Sequence, residues 1–198
     1  MKRLFLLLGL SAVLAAAIAG SALAGPNGNK LTCFSGTTDG GPYGGTCSLT
    51  TGGVATLNNT DGNVNGDYSG VYLQNSNLDG KKLATVNKLA FDYTGTPTNG
   101  SPRISLPLDT NGDGVTDVYA FISAFWCNDG AGHLNALIDQ TCMIFVGNQI
   151  TGYANWDAFV AAFPTATVGA DALPFIIADD VGSWTVSNVQ LGKGPAKA

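Results

Sequence analysis

The chain contains no glutamate: all 14 of its acidic residues are aspartates. Only 9 of its 198 residues are lysine or arginine, and His133 is its one histidine. Each shortage excludes something. Without glutamate there is no H-E-x-x-H zinc-protease helix and no glutamate acid or base. Sparse, unclustered basic residues argue against nucleic-acid binding, which needs grouped Lys and Arg on phosphates. A single histidine and the lack of any C-x-x-C leave no zinc-type ligand spacing. No G-x-S-x-G is present either, so no nucleophile elbow is visible.

The first residues read as an export signal rather than as fold. Lys2 and Arg3 precede the apolar run "LFLLLGLSAVLAAAIAG", and "ALA" at Ala22–Ala24 offers small residues for cleavage. The run is too short for a comfortable membrane span, and no later segment is apolar enough to cross a bilayer. Removing residues 1–24 leaves 174 of the 198 residues, a length that suits one domain, over 25–192. Seven of the 9 basic residues remain against 14 aspartates, a net charge of −7. Residues 193–198 read as a disordered tail. A secreted protein, extracellular or periplasmic, is expected.

Export makes disulfides the default state of the four cysteines, Cys33, Cys47, Cys127 and Cys142. Three pairings are open from sequence. Cys33–Cys47 and Cys127–Cys142 are favoured because each closes a short local loop.

The residues that are abundant, 27 glycines with many Thr, Asn and Asp, suit strands joined by turns. Residues 25–47 hold seven glycines and read as loop. Period-2 runs follow at 69–75, 86–93, 103–108, 118–125, 142–148 and 183–192. "VNKLAFDY" places Leu89, Phe91 and Tyr93 on one face, and "RISLPL" does so with Ile104, Leu106 and Leu108. "VYAFISAF" is apolar on both faces, as a central strand is. In the last run the apolar phase shifts from Trp184 and Val186 to Val189 and Leu191, which a β-bulge explains. One 3.6-period segment stands apart: Trp156, Phe159, Val160 and Phe163, with Asn155 as N-cap, Asp157 in the first turn and Pro164 as stop. The expected fold is an all-β antiparallel sandwich, jelly-roll-like, with one short α-helix near 156–163.

"LDTNGDGVTDV", Leu108 to Val118, carries the clearest chemistry. Asp109, Asn111, Asp113 and Asp117 fall at the spacing D-x-N-x-D-G-x-x-D, and the Val115 carbonyl can join them. Hard cations take about six to eight oxygens, and short carboxylates on a curled backbone supply them. The segment is not an EF-hand, since Ala120 stands where the bidentate Glu belongs and strands flank it. "DTNGDGVTDVYAF" resembles the calcium loops of FG-GAP repeats, in which D-x-N-G-D-G-x-x-D links two strands. A single copy carries over the loop and not the propeller. The resemblance implies one structural Ca²⁺. The plain alternative is a hairpin whose Asn-Gly and Asp-Gly steps are only turns.

"GSWTVSNVQLG" resembles the last strand of jelly-roll carbohydrate-binding modules, with Ser187 where their "DNV" aspartate stands. The resemblance implies a secreted sandwich that binds polysaccharide or cell-surface glycan without catalysis. Tyr72, Tyr119 and Trp126 are the candidate sugar-stacking rings, with Gln74 and Asn128 as amide partners; ordinary core or surface packing is the alternative for each. Two other classes stay open. One is a structural component of a cell surface or matrix. The other is a secreted hydrolase using His133 or an aspartate pair. No catalytic residue is singled out.

Overall fold

A computed structural model describes residues 23–24, 30–37, 44–59, 66–74, 76–98, 100–127, 132–147 and 151–192. The expected leader, apart from its last two residues, and the tail at 193–198 lie outside the described residues, as does Asn128.

Strands dominate: β1 (Leu23–Ala24), β2 (Lys30–Thr37), β3 (Thr46–Thr50), β4 (Val54–Asn59), β5 (Asp67–Gln74), β6 (Leu89–Thr94), β7 (Arg103–Asp109), β8 (Val118–Ser123), β9 (His133–Asn135), β10 (Ile144–Val146), β11 (Thr151–Tyr153), β12 (Thr167–Val168), β13 (Phe175–Ala178) and β14 (Gly182–Leu191). They form two antiparallel sheets. Sheet A runs β1-β2-β5-β13-β7-β8-β10-β11, with β12 also on β7, and sheet B runs β3-β4-β14-β6-β9. The chain crosses repeatedly between the sheets, so sequence neighbours such as β4 and β5 lie in different layers. This is an all-β antiparallel sandwich with one short helix.

The core is what the period-2 runs place between the layers. Leu31, Val71, Leu73, Ile104, Leu106, Ile122 and Ile176 come from sheet A, and Leu57, Phe91, Trp184 and Val186 from sheet B; all are buried. Asn59 bridges the layers: its amide donates to the Ala178 carbonyl (2.7 Å) and its Oδ1 accepts from the Ser69 hydroxyl (2.8 Å). The Cys33–Cys47 disulfide ties β2 to β3, one in each sheet, and Cys127–Cys142 ties the turn after β8 to the segment just before β10.

The last strand is bulged where its apolar phase shifts. Its register against β6 slips between Ser187 and Gln190, and Asn188 takes φ 49°, so Trp184, Val186, Val189 and Leu191 all face inward. The helix α1 spans Trp156–Ala162, and the Asn155 side chain accepts from the Ala158 N–H at 2.9 Å. Trp156 and Phe159 are its buried residues, packed on each other and, through Phe159, on Tyr153 of β11.

The loop reading of residues 25–47 needs correction. Lys30–Thr37 is an eight-residue strand paired in unbroken register with β5, from Lys30↔Gln74 to Thr37↔Asp67. Its glycine-rich surroundings hide the alternation of Leu31 and Cys33 inward with Thr32 and Phe34 outward. What makes it a strand is the edge of β5, a partner far along the chain.

Candidate functional site: an aromatic strip and an acidic loop

The outer face of sheet A carries the side chains that alternate with the core set. One cross-strand row reads Thr32, Tyr72, Phe175, Ser105, Phe121, Phe145 and Gly152, from β2 to β11. Rings dominate it. Phe34 stands over Tyr72 with centroids 4.3 Å apart, Tyr72 contacts Phe175 at 5.7 Å, and Phe175 contacts Tyr119 at 5.6 Å. Tyr68 extends the group through Phe34 at 6.2 Å. Tyr72 and Tyr119 therefore share one surface, joined by Phe175, as sequence reasoning could not foresee.

Two glycines make room for these rings. A Cβ on Gly70 would sit 2.4 Å from the Phe34 ring, so that ring lies over bare backbone. On Gly152 a Cβ would meet the Phe145 ring at 3.0 Å. Beneath the rings β7 is buried on both faces, and Ser105 is wholly covered. The hydroxyls of Thr32 and Ser105 have no hydrogen-bond partner among the described residues. Burial raises the pKa of Tyr72 and Tyr119, with the neighbouring tyrosine adding to it in each case. Both phenols stay neutral O–H donors.

Trp126 sits at the far end of the same face. It contacts Phe125 at 4.8 Å and Phe145 at 5.9 Å, and it is 41% exposed. The neighbouring Cys127 is buried in its disulfide, which anchors the turn that presents the indole. Arg103 lies over the Phe121 ring of the row at 5.3 Å while its guanidinium is held by Asp179, with an Nη2–Oδ2 distance of 2.6 Å.

The 109–117 loop joins β7 to β8 beside Tyr119. Its side chains fold back on its own backbone. Asp109 accepts from the N–H groups of Gly112 (2.6 Å) and Gly114 (2.9 Å). Asn111 accepts from Asp113 N–H and Asp113 from Val115 N–H, at 2.9 and 2.8 Å. Asp117 accepts from the backbone N–H and hydroxyl of Thr110, at 2.8 and 2.6 Å. Burial pushes the Asp109 pKa up, but the N–H donors outweigh it and hold the carboxyl below its usual range. Thr110 lowers that of Asp117. Gly112 and Gly114 both adopt φ 87°, the region the curl requires. Among the described residues, no group of three or more His, Cys, Asp or Glu side chains converges as a metal-binding set.

Sequence reasoning missed Asp171. It lies in the segment that leaves β12 and returns as β13, and it accepts from the backbone N–H (2.8 Å) and hydroxyl (2.5 Å) of Thr116. Its pKa is lowered by those bonds, against the repulsion of Asp109. No local pattern around "GADALP" marks it.

His133 faces Asp92 across β6 and β9, and its Nδ1 pairs with the Asp92 carboxylate, which also accepts from Asn188 at 3.1 Å. Among the described residues, a cleft of about 570 Å³ lies beside Phe125, Tyr93 and Pro97, and another of about 480 Å³ between α1 and Val86.

Neither protein-family models, nor curated proteins, nor solved structures give a significant match to this chain. Among the described residues, no helix is long and apolar enough to cross a membrane.

Proposed function

We propose that this chain is a secreted, non-catalytic binding module that takes carbohydrate on the outer face of sheet A. The observation that supports this is the connected ring strip Phe34–Tyr72–Phe175–Tyr119 on a solvent-facing sheet surface, with Trp126 farther along. Aromatic faces offer apolar area at low entropic cost, and the phenols add hydrogen-bond donors, which suits the C–H faces and hydroxyls of sugars. Two disulfides accord with an oxidising compartment.

The same proposal includes one structural Ca²⁺ in the 109–117 loop. The donors there are all oxygens, which suits a hard cation. Each carboxylate oxygen that accepts one N–H keeps a further lone pair for a metal. Asp109, Asn111, Asp113, the Val115 carbonyl and Asp117 would hold the ion, and Asp171 is the further acid at the rim. The ion would brace the connection that ends in Tyr119.

A glycan array probed with the mature protein tests the reading. Binding that is weakened in Tyr72→Ala and Tyr119→Ala, with unchanged far-UV CD, is the expected result. Absence of binding across the array overturns it. The His133–Asp92 pair favours one second reading, a hydrolase with His133 as base. Turnover of a polysaccharide or ester that His133→Ala abolishes would establish that reading instead.

A further inference from the structure

The aromatic row has a direction, a charge environment and a ring geometry, and together they restrict the ligand. The row crosses the strands rather than following one. It passes over β2, β5, β13, β7, β8 and β10, five interstrand steps, or about 24 Å at about 4.8 Å each. Exposed aromatics stand on both sides of its centre: Tyr72, 37% exposed, on β5 and Trp126, 41% exposed, in the turn after β8.

The charge environment is neutral to acidic. Arg103 is committed to Asp179 and the Gly100 carbonyl. Lys30 stands at the strand-edge end, paired across from Gln74. Asp109, Asp117 and Asp171 gather beside Tyr119, where the Asp171 charge adds to the upward shift that burial gives the phenol. The Thr32 and Ser105 hydroxyls within the row, without a hydrogen-bond partner among the described residues, carry no charge. A polyanion would meet more repulsion than attraction along this path.

The rings are not coplanar. Successive planes differ by 36° for Phe34 and Tyr72, 69° for Tyr72 and Phe175, and 59° for Phe175 and Tyr119. Trp126 and Phe145 differ by 54°. No single flat surface can lie against all of them. A chain that rotates from one sugar to the next can.

From this we infer that the ligand is a single, uncharged glycan chain in solution, lying across the strands from Phe34 to Trp126. The inference rests on the carbohydrate reading and narrows it. Calorimetry with ladders of cello-, xylo- and manno-oligosaccharides of increasing length tests it, together with native gels containing polygalacturonate and depletion by microcrystalline cellulose. Affinity for one neutral ladder should rise with length and then level off. For the longest member, Tyr72→Ala and Trp126→Ala should each weaken binding about five- to tenfold, while Tyr72→Phe and Trp126→Phe retain most of it. Length-independent affinity, tighter binding to polygalacturonate, or depletion by crystalline cellulose matching the soluble affinity overturns the inference and leaves the carbohydrate reading standing. No binding to any of these glycans, or on the array, removes both.

Discussion

Asp171 reaches across 55 residues of sequence to hold Thr116, accepting from both its backbone N–H and its hydroxyl. That contact joins the β12–β13 connection to the acidic loop. It brings an acid to the loop's rim that the loop's own sequence does not contain. If Ca²⁺ binds here, calcium should raise the melting temperature of the parent relative to EDTA. The stabilisation is about 2.7 kcal/mol at a hundredfold excess over Kd. Without a closing glutamate the affinity should fall in the ~10⁻⁴–10⁻³ M range. Asp113→Ala should remove most of the shift and Asp171→Ala part of it. Identical melting of the parent in calcium and EDTA, with no ion seen by calorimetry, would show that the loop is only a turn.

Acid should act through Asp179. Burial pushes its pKa up, yet the Arg103 hydrogen bonds and charge, with Ser101, hold it below the usual value of 3.8. A depressed carboxylate contributes stability that is present above its unfolded pKa and is lost as pH falls through the folded one. Urea midpoints should therefore drop below about pH 4, and Asp179→Asn should flatten that drop. At neutral pH, Arg103→Met should cost about 1–2 kcal/mol. This is less than for a fully buried pair, because the Asp179 side chain is 38% exposed and water screens it.

Gly70→Ala should be disruptive although the residue is small. The new Cβ would lie 2.4 Å from both the Ile176 carbonyl oxygen and the Phe34 ring. A loss of about 1–3 kcal/mol in urea unfolding is expected, with a changed near-UV CD signal as Phe34 leaves Tyr72. Adding Phe34→Ala should recover only part, since the clash with the backbone oxygen remains. A neutral Gly70→Ala would contradict this packing.

Replacing Cys127 and Cys142 together by alanine should cost about 3 kcal/mol, the scale for closing a loop of about 15 residues. Because Cys127 adjoins Trp126, the same variant should bind glycan more weakly even where it is still folded. The matching Cys33/Cys47 variant should lose stability while keeping Trp126 in place. Chemical denaturation and calorimetry at low temperature separate the two effects.

Much of the scaffold was legible in the chain. Alternating Ile104, Leu106 and Leu108 define an inward strand face whatever the partner, because side chains alternate with period 2. Asn155, Asp157 and Pro164 mark the helix through bonds within one turn. The phase shift from Val186 to Val189 could be absorbed only by an extra residue, and the bulge between Ser187 and Gln190 is where it falls. The curl of the 109–117 loop is likewise local, built from Asx bonds two to five residues long.

Tertiary structure decided what the rings and acids meet. Phe34 was hidden in a segment that reads as loop, and Phe175 gave no signal of its own. Both join Tyr72 because Thr32 and Phe175 flank it in register on β2 and β13, from positions 40 residues before it and 103 after it. Gly70 matters only because Phe34 arrives above it, and Asp171 only because β12 and β13 both pair with β7. Backbone periodicity depends on neighbours in sequence, so one chain can declare it. A surface composed across six strands depends on register between distant segments, and that is settled when the sheets pair.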